Sequence, residues 1–134
     1  MFKNCTSLET ISMPKDLILI EHDAFLNCVS LSSIHFNNNL RFIGENAFSH
    51  CVKLANLDLP ESLAIVCNAF RFCGEIDNIK ISNSLKCLYP YAFNGSMVKS
   101  IASDEDVILK KFSHAFKKYK ILKNLDISKA TTDS

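Results

Sequence analysis

The sequence predicts a solenoid of stacked turns, and three observations carry that prediction. Ala-Phe pairs recur at Ala24-Phe25, Ala47-Phe48, Ala69-Phe70, Ala92-Phe93 and Ala115-Phe116, at spacings of 23, 22, 23 and 23 residues. A fixed period of this length marks units that cannot bury their apolar faces alone and must stack to do so. Cysteine follows phenylalanine at one offset, in Phe2/Cys5, Phe25/Cys28, Phe48/Cys51 and Phe70/Cys73. The third observation is a recurring apolar spacing: Leu8-x-x-Ile11-x-Met13, Leu31-x-x-Ile34-x-Phe36, Leu54-x-x-Leu57-x-Leu59, Ile76-x-x-Ile79-x-Ile81 and Leu122-x-x-Leu125-x-Ile127.

Each element follows from its residues. The alternation that closes the apolar spacing has the period of two expected of a strand with one buried face, so one strand is predicted per repeat. Pro14 and Pro60, with Asn37 and Ser82 at the matching places, end these strands, because proline cannot donate to a continuing ladder. The pairs Leu17/Ile20, Leu40/Ile43, Leu63/Val66 and Leu85/Leu88 then return the chain to the core. The Ala-Phe pair follows, a small residue for close approach and a large one to fill the interior.

With 134 residues, 48% of them hydrophobic and 22% charged, the chain has ample material for one compact core. A formal net charge of +1 argues against nucleic acid or a membrane surface as partner. The local basic cluster Lys110, Lys111, Lys117, Lys118, Lys120 and Lys123 follows Asp104, Glu105 and Asp106 and reads as a solvated face. No apolar run reaches the length of a membrane span, the longest candidate being Leu17 to Ile20, so no membrane insertion is expected. The residues from Met1 to Cys5 do not resemble a secretory signal, and the chain as written would stay in the cytosol. Within a longer secreted protein it would instead stand at the cell surface.

Laid out in this way, the turns resemble the leucine-rich repeats of the BspA-like type, which read approximately Leu-x-x-Ile-x-Ile-Pro, then apolar-x-x-Ile-x-x-x-Ala-Phe-x-x-Cys. The resemblance runs from Phe2 to Ile127. It implies a curved, right-handed leucine-rich repeat solenoid, with a parallel β-sheet on the concave face and short turns or helical segments elsewhere. It also implies surface adhesion and protein recognition as the use of the fold. On this reading residues 1–128 form a single solenoid of about five repeats of 22–23 residues, starting within a repeat, and 129–134 form a polar tail.

The final repeats depart from the pattern. Ser96 replaces the cysteine, Val98 and Ile101 arrive one residue early, Lys110 takes an isoleucine position and Tyr119 replaces the last cysteine. Residues 103–128 are therefore either a degenerate capping repeat or a helical cap. The second reading rests on Ile108, Phe112, Ala115, Phe116, Tyr119 and Leu122, which fall at helical spacing.

Six cysteines invite a disulfide or metal reading. Cys5, Cys28, Cys51 and Cys73 share one repeat position, and stacking at about 4.8 Å would line them up as a column of buried free thiols. A disulfide between neighbouring turns would lie within reach, although parallel side-chain vectors oppose its dihedral. Metal binding is the remaining alternative, but no Cys-x-x-Cys or paired histidines support it, and no metal or cofactor is expected. Cys87 shares a column with Leu19, Phe42 and Ile65 and reads as core, whereas Cys67 lies off the core positions and is expected to be exposed. His50 beside Cys51 has the residue types of a base and nucleophile, but adjacent side chains point apart. Gly44, Gly74 and Gly95 are isolated and placed where turns want conformational freedom, so no phosphate loop is present. No catalytic residue is assigned.

What remains is surface. Outward strand positions form two rows, Thr10, Ser33, Asn56, Asn78, Ser100 and Asn124 in one, and Ser12, His35, Asp58, Lys80, Ala102 and Asp126 in the other. Polarity there is also what keeps a sheet face soluble. From the rows, His35, Asn56, Asp58, Asn78, Lys80 and Asp126 are the candidate contacts to a protein partner. Phe72, Tyr89 and Tyr91 replace polar residues of other copies and form a second candidate, either as an exposed aromatic patch or packed on one another. The expected function is a non-catalytic protein-interaction or adhesion module. The alternative is a structural spacer or a piece of a longer array, whose uncovered first strand would permit end-to-end self-association.

Overall fold

The computed structural model describes residues 2–103 and 111–116. The chain winds in turns, and every strand pair is parallel and joins residues about one repeat apart. The strands expected from the apolar alternation are β1 (Thr10–Ser12), β3 (Ser33–His35), β5 (Asn56–Asp58), β8 (Asn78–Lys80) and β11 (Ile101–Ala102). Their middle residues Ile34, Leu57 and Ile79 are buried while His35, Asp58 and Lys80 are exposed, which is the predicted alternation.

One strand per repeat proves too few. The returning segments form a second sheet of four strands in the order β2 (Leu19–Ile20), β4 (Phe42–Ile43), β6 (Ile65–Val66), β9 (Cys87–Leu88). A third pairing joins β7 (Glu75–Ile76) to β10 (Met97–Val98). These are two-residue strands, too short for an alternation to show in sequence. They exist because the turn stacked alongside supplies partners for their backbone N–H and C=O groups.

The interior is organised by one column of rings. Phe2, Phe25, Phe48, Phe70, Phe93 and Phe116 stack with successive centroids 5.3, 5.0, 5.3, 5.5 and 5.3 Å apart. Offset stacking of this kind adds roughly 0.5–1.5 kcal/mol per pair beyond the burial itself. The backbone follows the same register, since the amides of Phe25, Phe48 and Phe70 donate to the carbonyls of Ala47, Ala69 and Ala92.

The first sheet is split. β1 pairs with β3, and β8 pairs with β5 on one side and β11 on the other, but β3 and β5 are not hydrogen-bonded to each other. Met13, Leu59 and Ile81 each donate their amide to the next turn, to His35, Lys80 and Ala102 respectively, and no such bond joins Phe36 to Asp58. Phe36 occupies the same repeat position with a larger side chain, and its ring stands edge-on to Phe48 at 6.0 Å.

At the far end, the helix α1 (Ser113–Phe116) carries Phe116 onto Phe93, so the repeat register is kept on a helical backbone. His114 Nε2 lies 2.7 Å from the Leu88 carbonyl and covers the end of β9. The degenerate-repeat and helical readings thus meet within four residues. Ile108, Lys110, Tyr119, Leu122, the strand expected around Leu125, Asn124 and the tail 129–134 lie outside the described residues. No helix among the described residues is long and apolar enough to cross a membrane.

Candidate recognition site

The cysteine column is internal structure. The thiols of Cys28, Cys51 and Cys73 donate to the carbonyl oxygens of Phe2, Phe25 and Phe48 at 3.0, 3.3 and 3.1 Å. Ser96 repeats the contact to Phe70 at 2.7 Å. All six cysteines are free thiols. Burial pushes the thiols of Cys28, Cys51 and Cys73 up, that of Cys73 to about 12, so none is primed as a nucleophile.

Two cysteine assignments are corrected. Cys67 is buried, at 4% exposure, and has the Tyr89 side chain of the next turn as a neighbour. Cys87 is only half-buried, since it shares the outer side of β9 with the outward column of Leu19, Phe42 and Ile65. The neighbouring Cys67 thiol pushes the Tyr89 hydroxyl up. His50 does not meet Cys51, and its ring instead stacks on Phe72 at 5.1 Å. Among the described residues no group of three His, Cys, Asp or Glu side chains could hold a metal ion.

Gly44 also departs from expectation. It has no left-handed backbone, but a Cβ there would come within 2.7 Å of the His22 amide nitrogen, so space rather than conformation requires it. Gly74 and Gly95 do have positive φ, at 71° and 79°.

The outward rows open beside a groove of about 840 Å³, bordered by Phe36, Asp58, Pro60, Glu61, Lys80 and Ser82 among others. Asp58 and Lys80 are register partners on adjacent strands. Among the described residues, however, the ion pairs are those of Lys99 with Glu75 and Asp77, at 3.2 and 3.8 Å. Asp58 and Lys80 therefore present opposite charges side by side without forming a direct ion pair. Ser84 donates to the Glu61 carbonyl and lies 2.8 Å from the Ser82 hydroxyl, which organises the turns that border the groove. The Ser103 hydroxyl is shielded and without a partner.

Of the other predicted residues, Asn56 is exposed and Asn78 accepts from Ser100 at 2.9 Å. His35 is exposed across the sheet break, with Nε2 3.4 Å from Ser33 Oγ. Asp126 lies outside the described residues. Phe72, Tyr89 and Tyr91 are 41%, 39% and 60% exposed and do not stack on one another. Phe72 packs on His50, Tyr89 neighbours Cys67, and the Tyr91 amide donates to Asn68 Oδ1 at 2.9 Å. Sequence reasoning missed Phe36 and Glu61 as groove residues. Their signal was their place just after the strands, where Pro60 and its counterparts read only as strand ends.

Comparison with known proteins agrees with this architecture. The model of the BspA type leucine rich repeat region matches in six copies, over residues 1–111 and 64–133. Among solved structures, a leucine-rich repeat protein from Bacteroides ovatus is similar, with a TM-score of 0.67 and 30% sequence identity over 71% of this chain. The alignment spans 24% of that protein, so this chain corresponds to about a quarter of its length. Among curated proteins none matches significantly.

Proposed function

Because the chain belongs to the BspA-type leucine-rich repeat family, we propose that it is a non-catalytic protein-recognition module whose partner seats on the groove beside Asp58 and Lys80. The observation that carries the reading is the unpaired juxtaposition of those two charges on adjacent turns. Opposite charges held at fixed spacing and left unsatisfied steer and orient a complementary protein surface more than they strengthen its binding. His35 and Asn56 extend the polar face on either side, and adhesion is one use such a face would serve. The repeat scaffold supports a binding role in place of catalysis, since it spends its thiols and aromatic rings on the core.

The test is affinity capture from cell lysates and matrix proteins with the unmodified protein and two double variants. One is Asp58→Lys with Lys80→Glu, and the other is Tyr89→Ser with Tyr91→Ser. A partner lost by the first and kept by the second is the expected result. Loss only with the tyrosine variant would move the site, and no partner with any of the three proteins would defeat the recognition reading.

A second reading, a spacer that stacks end to end, is favoured by an apolar opening of about 290 Å³ bordered by Phe2, Ile11, Met13, Leu17, Ile20 and Phe25. Sedimentation over a range of protein concentrations tests it. Self-association abolished by Ile11→Lys would support it, and a monomer at every concentration would oppose it.

A further inference from the structure

Phe72 stands where this fold should not place it. The residue before each Cys or Ser of the inner column is left-handed, with φ of 63° at Asn4, 62° at Asn27, 65° at His50, 57° at Phe72 and 79° at Gly95. Asparagine and glycine occupy that conformation readily and histidine tolerates it, whereas a bulky phenylalanine is strained there. In the first turns the position is filled by an amide contact, Asn27 Nδ2 donating to Asn4 Oδ1 at 3.0 Å. In the later turns it is filled by an aromatic surface. The Phe72 ring lies against His50 on one side, and on the other against Gly95, where a Cβ would come within 2.3 Å of a ring carbon. The ring is therefore fixed in place and still 41% exposed.

A charge accompanies the ring. The guanidinium of Arg71 lies 5.4 Å from the Phe72 centroid, and its Nε is shielded from solvent without a hydrogen-bond partner. Among the described residues Arg71 forms no ion pair, and the carboxylates of Glu75 and Asp77 are taken by Lys99. Strain that persists at an exposed aromatic residue points to a use outside the fold. Arginine is enriched among the residues that anchor protein interfaces, and its planar guanidinium both stacks on aromatic faces and pairs with carboxylates.

We infer that His50, Arg71 and Phe72 form a second docking surface, away from the groove, for a peptide segment in which an acidic side chain adjoins an aromatic one. The carboxylate accepts from the terminal N–H groups of the Arg71 guanidinium, while the partner's ring covers the exposed part of Phe72. The inference rests on the reading of the protein as an interaction module but does not depend on the groove.

The probe is acetyl-Gly-Glu-Phe-Gly-amide, with its Glu→Gln counterpart, titrated to millimolar concentration into the isotopically labelled protein and followed by amide NMR. Shift changes should centre on Arg71, Phe72 and Gly95, and the Gln peptide should bind about tenfold more weakly through loss of a charge-assisted hydrogen bond. Arg71→Gln should remove that difference with the fold intact. Phe72→Asn should lose binding while its melting temperature stays at or above that of the unmodified protein, because asparagine is at home in the left-handed region. A lower melting temperature for Phe72→Asn would make the ring a packing element and overturn the inference. Equal binding of the two peptides, or no shifts at these residues, would do the same. Shifts at Asp58 and Lys80, abolished by the charge exchange, would also overturn it while leaving the groove reading in place.

Discussion

The hydroxyl of Ser96 is 2.7 Å from the carbonyl oxygen of Phe70, and it accepts from the Cys73 amide at the same distance. One turn earlier the Cys73 thiol makes the equivalent contact to Phe48 at 3.1 Å. Serine is thus a member of the thiol column and ties two turns together. Ser96→Ala would leave a buried carbonyl and a buried amide without partners, at about 1–3 kcal/mol for each unsatisfied group. Chemical denaturation should show a loss of that order, and Ser96→Cys should recover most of it. A loss under about 0.5 kcal/mol for the alanine variant would mean that water reaches this site.

Phe48 sits in the middle of the ring column, stacked on Phe25 and Phe70 and met edge-on by Phe36. Phe48→Ala should cost about 3–5 kcal/mol. Phe2→Ala, at the half-buried end with one stacking partner, should cost markedly less. Equal losses at the two sites in urea unfolding would contradict a column whose stability grows with the number of stacked neighbours.

The buried thiols make stability sensitive to alkali. An unfolded cysteine ionises near pH 9, whereas burial holds Cys73 protonated to about pH 12. Below pH 9 both states carry the proton and Cys73 contributes no pH dependence. Between about 9 and 12 only the unfolded state releases it, so stability falls as pH rises, by about 1.4 kcal/mol per pH unit for one such thiol. Cys28 and Cys51 act in the same direction. Cys73→Ser, whose hydroxyl has a working precedent in Ser96, should flatten the slope of unfolding free energy against pH over this range. An unchanged slope would remove Cys73 from the account.

Asp58 and Lys80 are exposed register partners without an ion pair, so exchanging them should change stability by no more than about 0.5 kcal/mol. Thermal unfolding of the Asp58→Lys, Lys80→Glu variant checks this. A large drop would show that the two charges hold the sheet together and would weaken their assignment to recognition.

The period, the ring column, the thiol column and the alternation of the long strands were all legible in the order of residues. Each depends on one residue type recurring at one position, and stacking turns that repeat leaves little choice about which side is inside. Asp58 and Lys80 were legible for the same reason, as outward members of a row.

Tertiary structure alone decided the rest. Two-residue strands such as β6 are defined by partners about one turn away, not by any pattern within them. Cys67 has Tyr89, twenty-two residues further on, as a neighbour, and the break in the first sheet lies beside Phe36, whose ring stands edge-on to Phe48. The left-handed backbone of Phe72 belongs to its place in the coil, since a phenylalanine by itself avoids that conformation. In a solenoid the cover for each residue comes from the next turn, so sequence determines the column a side chain joins and packing determines whether that column meets solvent.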